Sequence, residues 1–74
     1  MSDWKPTAID LAWCESLVGI IKDGGIWGTP ATGIYRVDHI NKQLVLMERS
    51  PEFNKEDYER NVIAFAAIGW QVID

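Results

Sequence analysis

The sequence predicts a small α+β domain: an N-terminal helix, a three-stranded antiparallel meander, a second helix and a short C-terminal strand. Three observations predict it. Apolar residues recur at spacings of three and four near the start and again near the end, as on the buried faces of helices. Between them, β-branched and aromatic runs are separated by turn-forming residues. The 74 residues leave room for one domain, residues 1–74, with one core.

Residues 1–6 read as an extended arm, because Pro6 disfavours helical backbone at Lys5. Thr7 has the character of an N-cap, with Asp10 three residues on in a capping-box position. Ile9, Ala12, Trp13, Leu17, Ile20 and Ile21 then trace an apolar stripe on a helix over residues 8–22. Asp23-Gly24-Gly25 ends it, since glycine adopts a left-handed cap without strain. Residues 25–28 form a short strand and residues 29–32 a turn, with Pro30 in its second position. Residues 33–38 and 43–49 make a hairpin around Ile40-Asn41-Lys42. The unbroken apolar run Leu44-Val-Leu-Met suits a central strand.

Ser50-Pro51 interrupts the pattern and Asn54 caps the second helix. Glu56, Asp57 and Glu59 lie in its first turns, where negative charge complements the helix dipole. Tyr58, Val62, Phe65 and Ala66 carry its core stripe. Gly69 stops the helix, and Trp70-Gln-Val-Ile returns as an edge strand.

A chain this short buries only about 60% of the surface that it exposes when unfolded. Cys14 is the only cysteine, so an internal disulfide is impossible and a structural zinc site lacks its ligands. The 47% hydrophobic residues, four tryptophans among them, must be buried internally or against another subunit. A homo-oligomer is therefore expected. The formal charge of −4 and the scattered basic residues argue against duplex nucleic acid as a partner. No apolar run reaches the roughly 20 residues of a membrane span. One lone cysteine and the absence of a secretory-type start point to the cytoplasm.

Catalytic readings find little support. His39 is the only histidine and no serine sits in a nucleophile elbow. Cys14 with His39 could form a thiol–imidazole pair, but a small buried thiol is the commoner outcome beside Trp13. His39 reads as a solvated residue at a strand end. The carboxylates Glu52, Glu56, Asp57 and Glu59 read as a charged helix start rather than a metal site. Neither enzyme activity nor a cofactor is expected.

Gly28-Thr-Pro-Ala-Thr-Gly33 has the glycine spacing of a phosphate loop. However, Ile34 and Tyr35 stand where Lys and Ser/Thr are required, and a strand follows instead of a helix. The segment still gathers flexible amides, the hydroxyls of Thr29 and Thr32 and the indole of Trp27, a combination suited to a small anionic ligand. Trp27, Gly28, Thr29, Thr32 and Gly33 are thus the candidate binding residues, with Arg36 and Arg49 on the hairpin as anion partners. The competing reading is that glycines and Pro30 only build a tight reversal and Trp27 fills the core. Trp4 docks either on its own domain or on a sister subunit.

Gly24, Gly25, Trp27, Gly28, Pro30, Thr32 and Gly33 together form a segment that resembles one found in a group of very small bacteriophage proteins. The following hairpin and the helix ending Ala67-Ile-Gly-Trp-Gln-Val72 extend the likeness over about two-thirds of the chain. The resemblance assigns no activity and no site residues. It implies a setting, the host cytoplasm, and a role against host defence. One form of that role is sequestering a small nucleotide, such as a cyclic nucleotide immune signal, inside an oligomer. The alternatives are an inhibitor that docks its acidic surface on a host defence enzyme, and a structural phage subunit.

Overall fold

In the computed structural model, which describes residues 3–74, two helices pack on one face of a four-stranded mixed sheet. The elements run α1 (Ala8–Ile20), β1 (Ile26–Thr29), β2 (Gly33–Asp38), β3 (Gln43–Arg49), α2 (Lys55–Ala66) and β4 (Gln71–Ile73). Strand order follows the chain, β1-β2-β3-β4. The meander of β1, β2 and β3 is antiparallel, as expected, whereas β4 joins β3 in parallel. The connection through α2 explains the difference. The chain leaves β3 at one end, and the helix carries it back so that β4 starts beside the start of β3, with Gln43 opposite Gln71. The first two residues of the expected arm lie outside the described residues.

Both helices start as their sequences predict. Thr7 Oγ1 accepts from the Asp10 amide while the Asp10 carboxylate accepts from the Thr7 amide. Asn54 Oδ1 accepts from the amides of Glu56 and Asp57. The end of α1 differs from expectation. The helix stops at Ile20, and Ile21 is already extended. Its carbonyl is taken by the His39 ring, Nε2 to O 2.6 Å, and the His39 amide donates to Asp23 Oδ1. His39 also meets Trp70 edge to face at 5.3 Å. It is a clasp between α1 and the sheet, not a solvated strand end. Gly24 and Gly25 are consequently not a helix cap. They exchange backbone hydrogen bonds with Val37 and lead into β1.

The buried face of α1 also differs from the predicted stripe. Cys14 and Val18 are buried, with Leu17 and Ile21 packed beside them. Ile9, Trp13 and Ile20 are exposed instead. Ala66 at the end of α2 is exposed as well, while Ala64 and Phe65 enter the core.

Alternation along the strands separates two unlike faces. Toward the helices point Trp27, Tyr35 and Leu46 in one cross-strand row and Val37, Leu44 and Val72 in the next. With Cys14, Val18, Ala64, Phe65 and Trp70 they make the core. Away from the helices runs the row Ile26, Arg36, Val45 and Ile73, and beyond it Ile34 opposite Glu48. Met47 is the extra residue of a bulge, since Tyr35 pairs with Leu46 and Ile34 with Glu48. β3 is central, as its apolar run predicts, yet only one of its faces is covered by helices. The molecule is accordingly a slab of 31 × 30 × 17 Å.

Candidate functional site

The glycine-rich reversal between β1 and β2 is built largely by contacts within the fold. Gly33 has φ +130°, and a Cβ there would overlap the Glu48 carbonyl oxygen. A Cβ on Gly28 would strike the Gly33 carbonyl oxygen. These glycines let two strands and a bulge approach closely, a demand that no side chain could meet. The hydroxyls of Thr29 and Thr32 bond each other at 2.6 Å, and the Thr32 amide donates to Thr29 Oγ1. Thr32 is buried. Its carbonyl accepts from the Ser50 amide and the Ala31 carbonyl from the Asn54 amide, tying the turn to the start of α2.

Trp27 points to the helix side of the sheet. Its indole stacks on Tyr35 with centroids 5.1 Å apart and planes 16° from parallel, and meets Trp13 and Phe65 edge to face. Arg36 projects from the opposite face, because it neighbours Tyr35 along β2 and pairs with Ile26 rather than Trp27. Arg49 is bound to the Asp74 carboxylate and lies 4.5 Å over the Phe53 ring. A shallow groove of about 460 Å³ brings Gly28, Thr29, Gly33 and Arg49 together with Pro30 and Pro51. Thr32, Trp27 and Arg36 do not line it. Ile34 and Glu48 of the bare sheet face also line that groove, so the seven candidate residues are split between the groove with its adjoining bare face, where Arg36 lies, and the helix side, where Trp27 and Thr32 lie.

A second cleft lies beside the same turn. It holds about 330 Å³ and lies between α1, α2 and the β1–β2 end of the sheet. Trp4, Trp13 and Trp27 line it together with Thr29 and Thr32, and Asp57, Arg60 and Asn61 supply polar atoms. Trp4 is docked on its own domain, with the Arg60 guanidinium 5.7 Å from its ring centre. Trp13 is 50% exposed and presents aromatic surface to solvent. Asn61 Nδ2 donates to the hydroxyl of the fully buried Tyr35, and its carbonyl oxygen makes no hydrogen bond among the described residues. Arg60 Nε is, among the described residues, the one buried side-chain nitrogen or oxygen without a hydrogen bond. The same guanidinium reaches Glu56 only at 3.7 Å. The terminal N–H groups of this partly exposed side chain retain donors for an acceptor entering the cleft.

Trp13, Arg60 and Asn61 are absent from the sequence-based candidates. Asn61 did leave a signal. It stands three residues after Tyr58 and four before Phe65, a polar interruption of an apolar stripe. Arg60 left none, because the tryptophan rings that share its cleft come from the N-terminal arm, α1 and β1.

Cys14 also borders this cleft, but the residue is 2% exposed. Burial, then the nearby carboxylates of Asp10 and Glu15, push its thiol above the ordinary range, which disfavours the thiolate a nucleophile needs. Among the described residues, no three His, Cys, Asp or Glu side chains converge on a metal position. The acidic group at the start of α2 is divided, with Glu56 beside Arg60 and Asp57 facing the cleft. No helix among the described residues is long and apolar enough to cross a membrane. Compared with protein-family models, curated proteins and solved structures, the chain matches none of them.

Proposed function

We propose that the protein is a non-enzymatic binding protein that holds a small planar ligand, a nucleotide, in the three-tryptophan cleft. The setting we propose for it is phage counter-defence in the host cytoplasm, where such binding would sequester a nucleotide signal. One observation carries the ligand reading. The half-exposed ring of Trp13 shares a cleft with the partly exposed Arg60 side chain, whose Nε has no hydrogen bond among the described residues.

The chemistry fits a base better than a bare phosphate. An indole face stacks on any base, contributing about 1–3 kcal/mol. The Asn61 oxygen and the Asp57 carboxylate accept hydrogen bonds from a base's amino and imino groups, and Arg60 donates to a ring carbonyl or a phosphate oxygen. Two carboxylates at the cleft, Asp10 and Asp57, would repel a site filled with phosphate alone. This reading moves the ligand from the glycine-rich turn to the cleft beside it. Thr29 and Thr32 become its floor, Trp27 a wall braced by Tyr35, and Gly28 and Gly33 the supports of that wall.

Calorimetric titration with mononucleotides and with cyclic di- and trinucleotides tests the proposal. At least one should bind, and Trp13→Ala and Arg60→Gln should each weaken it by roughly tenfold or more, about 1.4 kcal/mol. Both side chains are partly exposed, so the variants should remain folded. An absence of heat with every nucleotide overturns the reading.

A further inference from the structure

The sheet face turned away from the helices carries a pattern that the ligand reading does not use. Ile26, Arg36, Val45 and Ile73 lie in one row across all four strands, and Ile34 and Glu48 pair in a row beyond. Ile26 is 68% exposed, and Ile34 and the bulged Met47 are exposed as well. An antiparallel sheet can face water on one side, but that side then alternates to polar residues. Here one outward row is polar, Asp38, Gln43 and Gln71, but the next carries exposed Ile26 with the half-buried Val45 and Ile73. Arg36 stands among them, exposed and with no ion pair among the described residues. Its neighbour across one row is Glu48, equally without one.

We propose that this face is the interface of a symmetric homodimer, closed by a second copy of the chain. The four residues Ile34, Arg36, Val45 and Glu48 form a small quadrilateral on β2 and β3, with the two apolar residues on one diagonal and the two opposite charges on the other. A two-fold axis lying in the face along the Ile34–Val45 diagonal sets Ile34 and Val45 against their own copies. The same rotation carries each Arg36 toward Glu48 of the partner subunit. The patch is therefore self-complementary, the condition that an isologous contact imposes. Charge placed this way favours a second copy over an unrelated apolar surface, which would leave Arg36 buried and unpaired.

Size is consistent with the assignment. A stable interface takes about 800 Å² from each partner, which is about a sixth of the 4783 Å² surface of this chain. The 31 × 30 Å face of the slab accommodates that patch. Covering it also completes a third layer in a molecule only 17 Å thick. The cleft lies on the other side of the sheet, so this inference stands or fails separately from nucleotide binding.

Sedimentation equilibrium of the full chain at micromolar concentration tests the dimer, with charge reversal as the specific probe. The wild type should be dimeric. Arg36→Glu and Glu48→Arg should each weaken association by at least about tenfold, and the double variant should restore it. Ile34→Asp, on the two-fold itself, should dissociate the dimer without altering either charge. Near-ultraviolet circular dichroism of the tryptophans would report that each variant stays folded, as exposed positions allow. A monomeric wild type overturns the proposal, and so does a double variant that fails to recover. A dimer indifferent to all these changes but dissociated by Ile20→Asp would place the contact on α1 and overturn it equally.

Discussion

Gly33 and Gly19 illustrate how differently one residue type can be used within a short chain. Gly33 combines φ +130° with a carbonyl oxygen of β3 occupying the place of a side chain. Gly33→Ala should therefore cost at least about 2 kcal/mol, from backbone strain and displacement of the bulge. Gly19 sits in α1 with nothing near its missing Cβ. Gly19→Ala should instead stabilise by about 0.5–1 kcal/mol, because alanine loses less entropy in a helix. Urea unfolding of the two variants should give midpoints displaced in opposite directions. The spacing of glycines and threonines over 28–33 makes a tight reversal legible in the sequence. What Gly33 yields to is not legible there, since the Glu48 carbonyl arrives from a bulge on another strand. Trp27 is ambiguous in sequence for the same reason: its partners Tyr35, Trp13 and Phe65 come from three other elements.

Helix α1 shows why an element can be recognised with its orientation misjudged. Its cap, its length to within two residues and its apolar character were all readable. Its buried side was not, because apolar residues surround the helix. Ile9, Trp13 and Ile20 follow helical spacing as well as Cys14, Leu17, Val18 and Ile21 do, so periodicity supports two stripes. Packing selects the second, through Phe65 and Tyr35 and the clasp of His39 on the Ile21 carbonyl. Val18→Ala should accordingly cost about 2 kcal/mol as a core truncation. Ile20→Lys should change stability by less than about 0.5 kcal/mol. Equal costs in chemical denaturation would contradict the assigned face. The clasp itself is testable. His39→Ala removes a hydrogen bond and an aromatic contact, and should cost about 1–2 kcal/mol. The parallel pairing of β4 escaped prediction because three residues after a helix specify a strand but not its neighbour's direction.

At the scale of the whole molecule, the core is one layer thick and lies close to ionisable side chains. Two of these respond to burial in the same sense. The Cys14 thiol is raised by burial first and by the carboxylates of Asp10 and Glu15 second. The Tyr58 hydroxyl is raised by burial, then by Asp74 and Tyr35, with Arg49 opposing them. Both groups keep their protons longer in the folded chain than in the unfolded one. As pH rises through the ordinary thiol value of 9.0 and then the phenol value of 10.0, the unfolded chain releases these protons first. It then binds fewer protons than the native state, so stability must fall with rising pH over that window and be fully present below it. Urea midpoints should show no decline from these two groups between neutrality and pH 9, and a decline from there upward. Cys14→Ala should remove the part of the decline that begins near pH 9 and leave the part near pH 10, which Tyr58→Phe should remove in turn. An alkaline profile unchanged by either substitution would mean that neither side chain senses the core. For Cys14, it would also return the thiol to consideration as a reactive group at the border of the cleft.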